Sequence, residues 1–105
     1  MPGSEDQTVN RRHAPRAKLT QSILVRPDDD HYPEEVATTV NVSRGGFFFV
    51  TSLAHYYVGM GVRVTLGYRP KDPMNKEEAG EVVRIEKLAE NKWGIAIRIL
   101  MRTAV

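Results

Sequence analysis

The sequence predicts an all-β fold, a six-stranded antiparallel β-barrel preceded by a flexible N-terminal arm. Three observations predict it. Six segments either place apolar residues at every second position or form short β-prone runs, as strands with one buried face do. Clusters of Gly, Pro, Asn, Asp and Ser separate these segments. No stretch sustains a helical period over the length of a helix. Six short strands in a chain of 105 residues are expected to close into a barrel, which leaves no sheet edge free to aggregate.

The elements follow in order. Residues 1–10, "MPGSEDQTVN", hold too few apolar groups to offset the entropy of ordering and read as a flexible tail. Residues 11–16 form an arm rich in arginine, and residues 17–100 the barrel. In the first strand, Ala17, Leu19, Ile23 and Val25 point one way and Lys18, Thr20, Ser22 and Arg26 the other, with Gln21 and Leu24 as exceptions. "PDDDHYP" breaks the strand and is a solvent loop by composition. "EEVATTVNV" places Val36, Thr38, Val40 and Val42 on one face, "SRGG" turns the chain, and "FFFVT" is too short and too β-prone for a helix.

"SLAHYYVGMG" reads either as one helical turn or as an irregular loop ending at Gly59 and Gly61. "VRVTLGY" then alternates, with Val62, Val64, Leu66 and Tyr68 expected inward. After the polar connection "RPKDPMNKEEA", the segments "GEVVRIEKL" and "KWGIAIRIL" form a hairpin across "AENK". Trp93, Ile95, Ile97 and Ile99 share a face of the last strand. Residues 101–105, "MRTAV", form a C-terminal tail. Small barrels often carry a closing helix over one mouth, so either that helix is absent or the chain comes from a longer protein.

Composition narrows the function classes. The length suits one domain with one core. Hydrophobic residues make up 41 % of the chain, yet no run could cross a bilayer and no signal peptide is expected, so the reading is a cytoplasmic protein without membrane insertion. There is no cysteine, which removes disulfides, thiolate metal sites and cysteine nucleophiles. A net charge of +2 does not support broad electrostatic adhesion to nucleic acid, so an anionic partner would be small or locally recognised.

Two polar stretches could carry chemistry. Arg11, Arg12 and Arg16 precede the first strand in the pattern "RRxxxR". Asn41, Ser43, Gly45 and Gly46 occupy the junction of the second and third strands in the pattern "NxSxxG". Each pattern alone is weak, but the two in this order on this strand plan are a much rarer coincidence. Here the sequence resembles the PilZ domains, six-stranded barrels that bind the bacterial second messenger cyclic di-GMP. Arg12 and Arg16 match the spaced arginines of that family, Arg11 the arginine that often precedes them, and Asn41, Ser43 and Gly46 the three set positions of its second motif. "WGIAIRIL" is similar to the family's closing strand.

The resemblance implies a non-catalytic receptor that signals when ligand orders the arm and so changes contacts with a downstream protein or an adjoining domain. Cyclic di-GMP is then ligand rather than cofactor, and no cofactor is expected. Arginine suits the ligand because its guanidinium can fork onto a guanine edge, clasp a phosphate or stack on a purine. Asn41 offers an amide to a base edge and Ser43 a hydroxyl to a base or phosphate oxygen, while Gly45 and Gly46 are expected to permit positive φ and close approach. Asparagine stands where many members carry aspartate, which keeps an acceptor and loses a charge. Arg11 is the family's mark of a stacked ligand pair, and Arg98, out of register with the inward isoleucines, is expected to face the same surface.

Plainer readings stand beside these. Alone, the arginines are a solvated basic tail, and Asn41 and Ser43 are turn residues bonding their own backbone. Asp28, Asp29, Asp30 and His31 are a solvated acidic run rather than a metal site, and "HYY" at 55–57 is rim packing. His13 and His55 sit in no triad spacing, so no catalytic residue and no metal ligand is expected. Two alternatives to the receptor remain: a PilZ-like interaction module without ligand, and a small nucleic-acid-binding barrel. The latter is disfavoured by the low charge and by outward strand positions that hold no aromatic apart from Phe48.

Overall fold

The structure, a computed structural model, describes residues 20–100. The tail, the arginine arm, residues 17–19 and residues 101–105 lie outside the described residues. Six strands make up the fold: β1 (Ser22–Pro27), β2 (Glu35–Ser43), β3 (Gly46–Thr51), β4 (Gly61–Leu66), β5 (Glu77–Ala89) and β6 (Lys92–Ile99). They close in the order β1-β2-β3-β6-β5-β4, and every neighbouring pair, including β4 with β1, is antiparallel. There is no helix among the described residues, and "SLAHYYVGMG" is an irregular loop.

Alternation explains the core. Ile23 and Val25 of β1, Phe47 and Phe49 of β3, Val62 and Val64 of β4, Val82 of β5, and Ile95 and Ile97 of β6 are buried together, with Met60 from the loop before β4. Each large side chain so buried is worth about 1.5–3 kcal/mol relative to exposure. Ala37, Val42, Ile85, Trp93 and Ile99 pack around this centre. Two tight hairpins complete the walls, with Ser43 paired to Gly46 across Arg44–Gly45 and Ala89 paired to Lys92 across Glu90–Asn91.

Two strands depart from the alternation expected of them, and a third starts earlier than expected. Val36 and Val40 are 57 % and 41 % exposed, whereas Thr39 is 1 % exposed, so β2 turns its Ala37 and Thr39 side to the core. A bulge between Thr39 and Asn41 then inserts one residue and reverses the parity, which brings Val42 inward. Thr39 can sit inside because its hydroxyl accepts the Gln21 N–H at 3.1 Å. On β4, Leu66 opposes the buried Ile23 but lies at the open end of the strand and is exposed, while Thr65, flanked by Leu24 and Glu77, is buried. Strand β5 begins at Glu77, inside the expected polar connection. The Arg26 guanidinium forks onto Glu77, with Nε–Oε2 at 2.9 Å and Nη2–Oε1 at 2.8 Å, and ties this start to β1.

Candidate functional site

The β2 bulge also positions the second motif. Past it, Asn41 pairs with Phe48 and Ser43 with Gly46, on the side of β2 away from the core residue Val42. On β6 the matching outward positions are Ala96, opposite Phe48, and Arg98, opposite Gly46. On β5 they are Arg84, opposite Ala96, and Glu86, opposite Gly94. The outer surface of β2, β3, β6 and β5 thus forms an open groove of about 440 Å³, lined by Asn41, Ser43, Gly45, Gly46, Phe48, Arg84, Glu86, Ala96 and Arg98 among others.

Two glycines let the strands and the Phe48 ring of the floor pack closely. The Phe48 ring lies over Gly94, where an added Cβ would sit 3.0 Å from Phe48 Cε1 and closer still to Cζ. Gly46 is required for a related reason. A Cβ there would run into the Ile97 carbonyl oxygen and lie 3.2 Å from Arg98 Cα, so β3 and β6 can approach only without a side chain. Neither motif glycine has the positive φ expected of it. Among the described glycines that backbone occurs at Gly59 and Gly67, and a Cβ on Gly45 would meet open space. Gly46 is therefore a packing residue of the barrel wall, while Gly45 lies in the turn at the groove's edge with open space beside it.

The polar groups of the groove are largely engaged with one another. Arg84 Nε lies 3.0 Å from Glu86 Oε2, and its guanidinium carbon is 5.8 Å from the centroid of the Phe48 ring. Arg98 Nη2 donates to Glu81 Oε1 at 2.8 Å. The Ser43 hydroxyl makes a long 3.4 Å hydrogen bond to the Gly46 carbonyl. Of the site residues named from the sequence, the structure brings Asn41, Ser43, Gly45, Gly46 and Arg98 to one groove, while Arg11, Arg12 and Arg16 lie outside the described residues. Sequence reasoning missed Arg84 and Glu86. The β5 register shifts between Val82 and Arg84, which turns Arg84 and Glu86 outward against strict alternation with the buried Val82, and no local pattern shows that Phe48 lies two strands away on the same surface.

A second hollow of about 850 Å³ opens at the adjacent barrel mouth, between Arg44, Lys76, Glu78 and Leu100, and shares Gly45 and Arg98 with the groove. The opposite mouth is packed by the "HYY" segment. Tyr56 donates to Glu35 Oε1 at 2.7 Å, and Thr51 donates to the same carboxylate at 2.9 Å. Burial and this bond hold the Tyr56 phenol far above the ordinary tyrosine range. His55 stacks on Tyr32 with ring centroids 5.4 Å apart, its Nε2 is buried, and burial lowers its pKa. In the acidic loop, Asp29 accepts the His31 backbone N–H at 2.9 Å, a local turn that lowers the Asp29 pKa. No group of three metal-ligating side chains occurs among the described residues, and no helix long and apolar enough to cross a membrane is found among them.

Comparison with known proteins agrees with this architecture. A profile for the PilZ domain matches residues 10–104, which span both polar motifs. Among solved structures, the Bacillus subtilis inhibitor of motility (MotI/DgrA) superposes with a TM-score of 0.64 at 18 % identity, over 90 % of this chain and 45 % of that one. This chain thus spans about half the length of that neighbour, and a likeness at that identity speaks for the fold. No curated protein matches it in sequence.

Proposed function

This chain belongs to the PilZ family, whose members include receptors for cyclic di-GMP, and we propose that it is itself a non-catalytic cyclic di-GMP-binding module. The observation that carries the reading is the common outward placement of Asn41, Ser43 and Arg98 beside a groove whose floor is Gly46, Phe48 and Ala96. A guanine edge laid in that groove would meet the Asn41 amide, and the ligand backbone would meet the Ser43 hydroxyl. Arg11, Arg12 and Arg16 supply the phosphate and guanine contacts from the arm.

Closing of that arm over the barrel is the proposed output, read by a downstream protein or an adjoining domain. A bacterial cytosol is the compartment this reading implies. Calorimetric titration of cyclic di-GMP into the wild type and Arg16→Ala, with GMP as control, tests it. Saturable binding to the wild type that Arg16→Ala removes is expected, and two ligands per chain would bring in Arg11. No heat with the wild type would end the receptor reading in favour of a ligand-free interaction module.

A further inference from the structure

Both arginines on the described wall of the groove are held by carboxylates of β5, Arg84 by Glu86 of its own strand and Arg98 of β6 by Glu81 across the ladder. The wall therefore presents no net positive charge to an incoming anion, although two guanidinium groups are within its reach. The Arg84 pair is the more open to exchange. Its side chains are 60 % and 45 % exposed, and the β6 residues opposite them are Ala96 and Gly94, too small to cover either. Phe48 is seated on Gly94, and the Arg84 guanidinium carbon stands 5.8 Å from its ring centroid, on the open side of the groove.

We infer that Arg84 is a further ligand-binding residue and that Glu86 is its built-in competitor: on binding, a ligand phosphate replaces the Glu86 carboxylate at the Arg84 guanidinium. The inference rests on the receptor reading above and adds a residue pair that neither polar motif contains. Exchange is chemically balanced, because one oxyanion replaces another at the same N–H donors and no bond is made or broken. It also has a signature that simple phosphate contact lacks. Neutralising Glu86 frees Arg84 in the unliganded protein and removes a like charge facing the phosphate, so losing a side chain from the site strengthens binding.

The test is titration of cyclic di-GMP into the wild type, Glu86→Gln, Arg84→Ala and Glu90→Gln, with a thermal melt of each to confirm folding. Glu90, in the β5–β6 turn, matches the charge change at the far end of the barrel. Expected are tightening of about three- to tenfold for Glu86→Gln, weakening of about tenfold or more for Arg84→Ala, and no change for Glu90→Gln. Wild-type affinity in Glu86→Gln, an equal gain in Glu90→Gln, or undiminished binding by Arg84→Ala would overturn the exchange while leaving the receptor reading intact. A wild type that binds no cyclic di-GMP would remove both.

Discussion

Replacing Gly46 by alanine separates two roles for a motif glycine, service to the ligand and service to the barrel. The added methyl would overlap the Ile97 carbonyl oxygen and press on the Ile97 and Arg98 backbone at 3.2 Å. These are backbone atoms of the neighbouring strand, so no rotamer change relieves the contact and the start of β3 must move away from β6. The displaced segment carries the Gly46–Arg98 pairing and the 2.8 Å hydrogen bond from Ile99 N–H to the Gly45 carbonyl. Overpacking of this kind costs about 1–3 kcal/mol, and each lost hydrogen bond about 0.5–1.5 kcal/mol.

A total of about 2–4 kcal/mol is expected, a large part of the stability of a domain this size. At about 4–8 °C per kcal/mol, even the lower figure lowers Tm by about 8–16 °C. Urea denaturation followed by Trp93 fluorescence, with a melt by circular dichroism, reads it. Gly45→Ala is the internal control. Its Cβ meets nothing and its φ is not positive, so its stability should stay within about 1 kcal/mol of the wild type. A Gly46→Ala protein as stable as the wild type would refute the packing argument and return Gly46 to the ligand.

Tyr56→Phe should cost about 1–2 kcal/mol in urea, because Glu35 loses one of its donors. Since the folded protein holds Tyr56 protonated above the ordinary tyrosine value, its contribution is complete below about pH 10 and is lost as pH rises beyond it. Stability curves for the wild type and Tyr56→Phe should therefore converge on the alkaline side, and parallel curves would contradict the assignment. His55 has the opposite sign. Its lowered pKa gives a contribution present above about pH 6.5 that is lost on acidification, so His55→Phe should flatten the stability slope between about pH 7 and pH 5. Arg26→Ala should cost less than about 1 kcal/mol, with the difference shrinking in high salt, because its fork to Glu77 is well exposed.

The strand plan was legible wherever one face of a segment is apolar and the other is not. In β6, Ile95 and Ile97 alternate with Ala96 and Arg98, and a one-residue slip would bury a guanidinium, so only one facing is allowed. In β2 that discrimination is missing. Val36, Thr38 and Val40 on one side and Ala37 and Thr39 on the other are all compatible with burial, so the pattern reads as regular and its inward side as the larger residues. The barrel chooses the smaller side because Thr39 finds the Gln21 backbone there, and the Val40 bulge then restores Val42 to the core.

The candidate site divides along the same line. The residue types of "RRxxxR" and "NxSxxG" are local, so the set of guanidinium groups and the amide–hydroxyl pair on a β-hairpin could be read directly along the chain. The six antiparallel strands were legible in the same way, since period and turn residues are properties of neighbouring positions, although β5 runs further than its expected segment. It took the folded barrel to show that Gly46 serves strand packing, that Phe48 lies over Gly94, and that Glu86 and Glu81 occupy the arginines of the groove. These depend on the register of β3, β6 and β5 and on where bulges shift it. Register is settled by the closing of the whole barrel, to which every strand contributes and which no local stretch encodes.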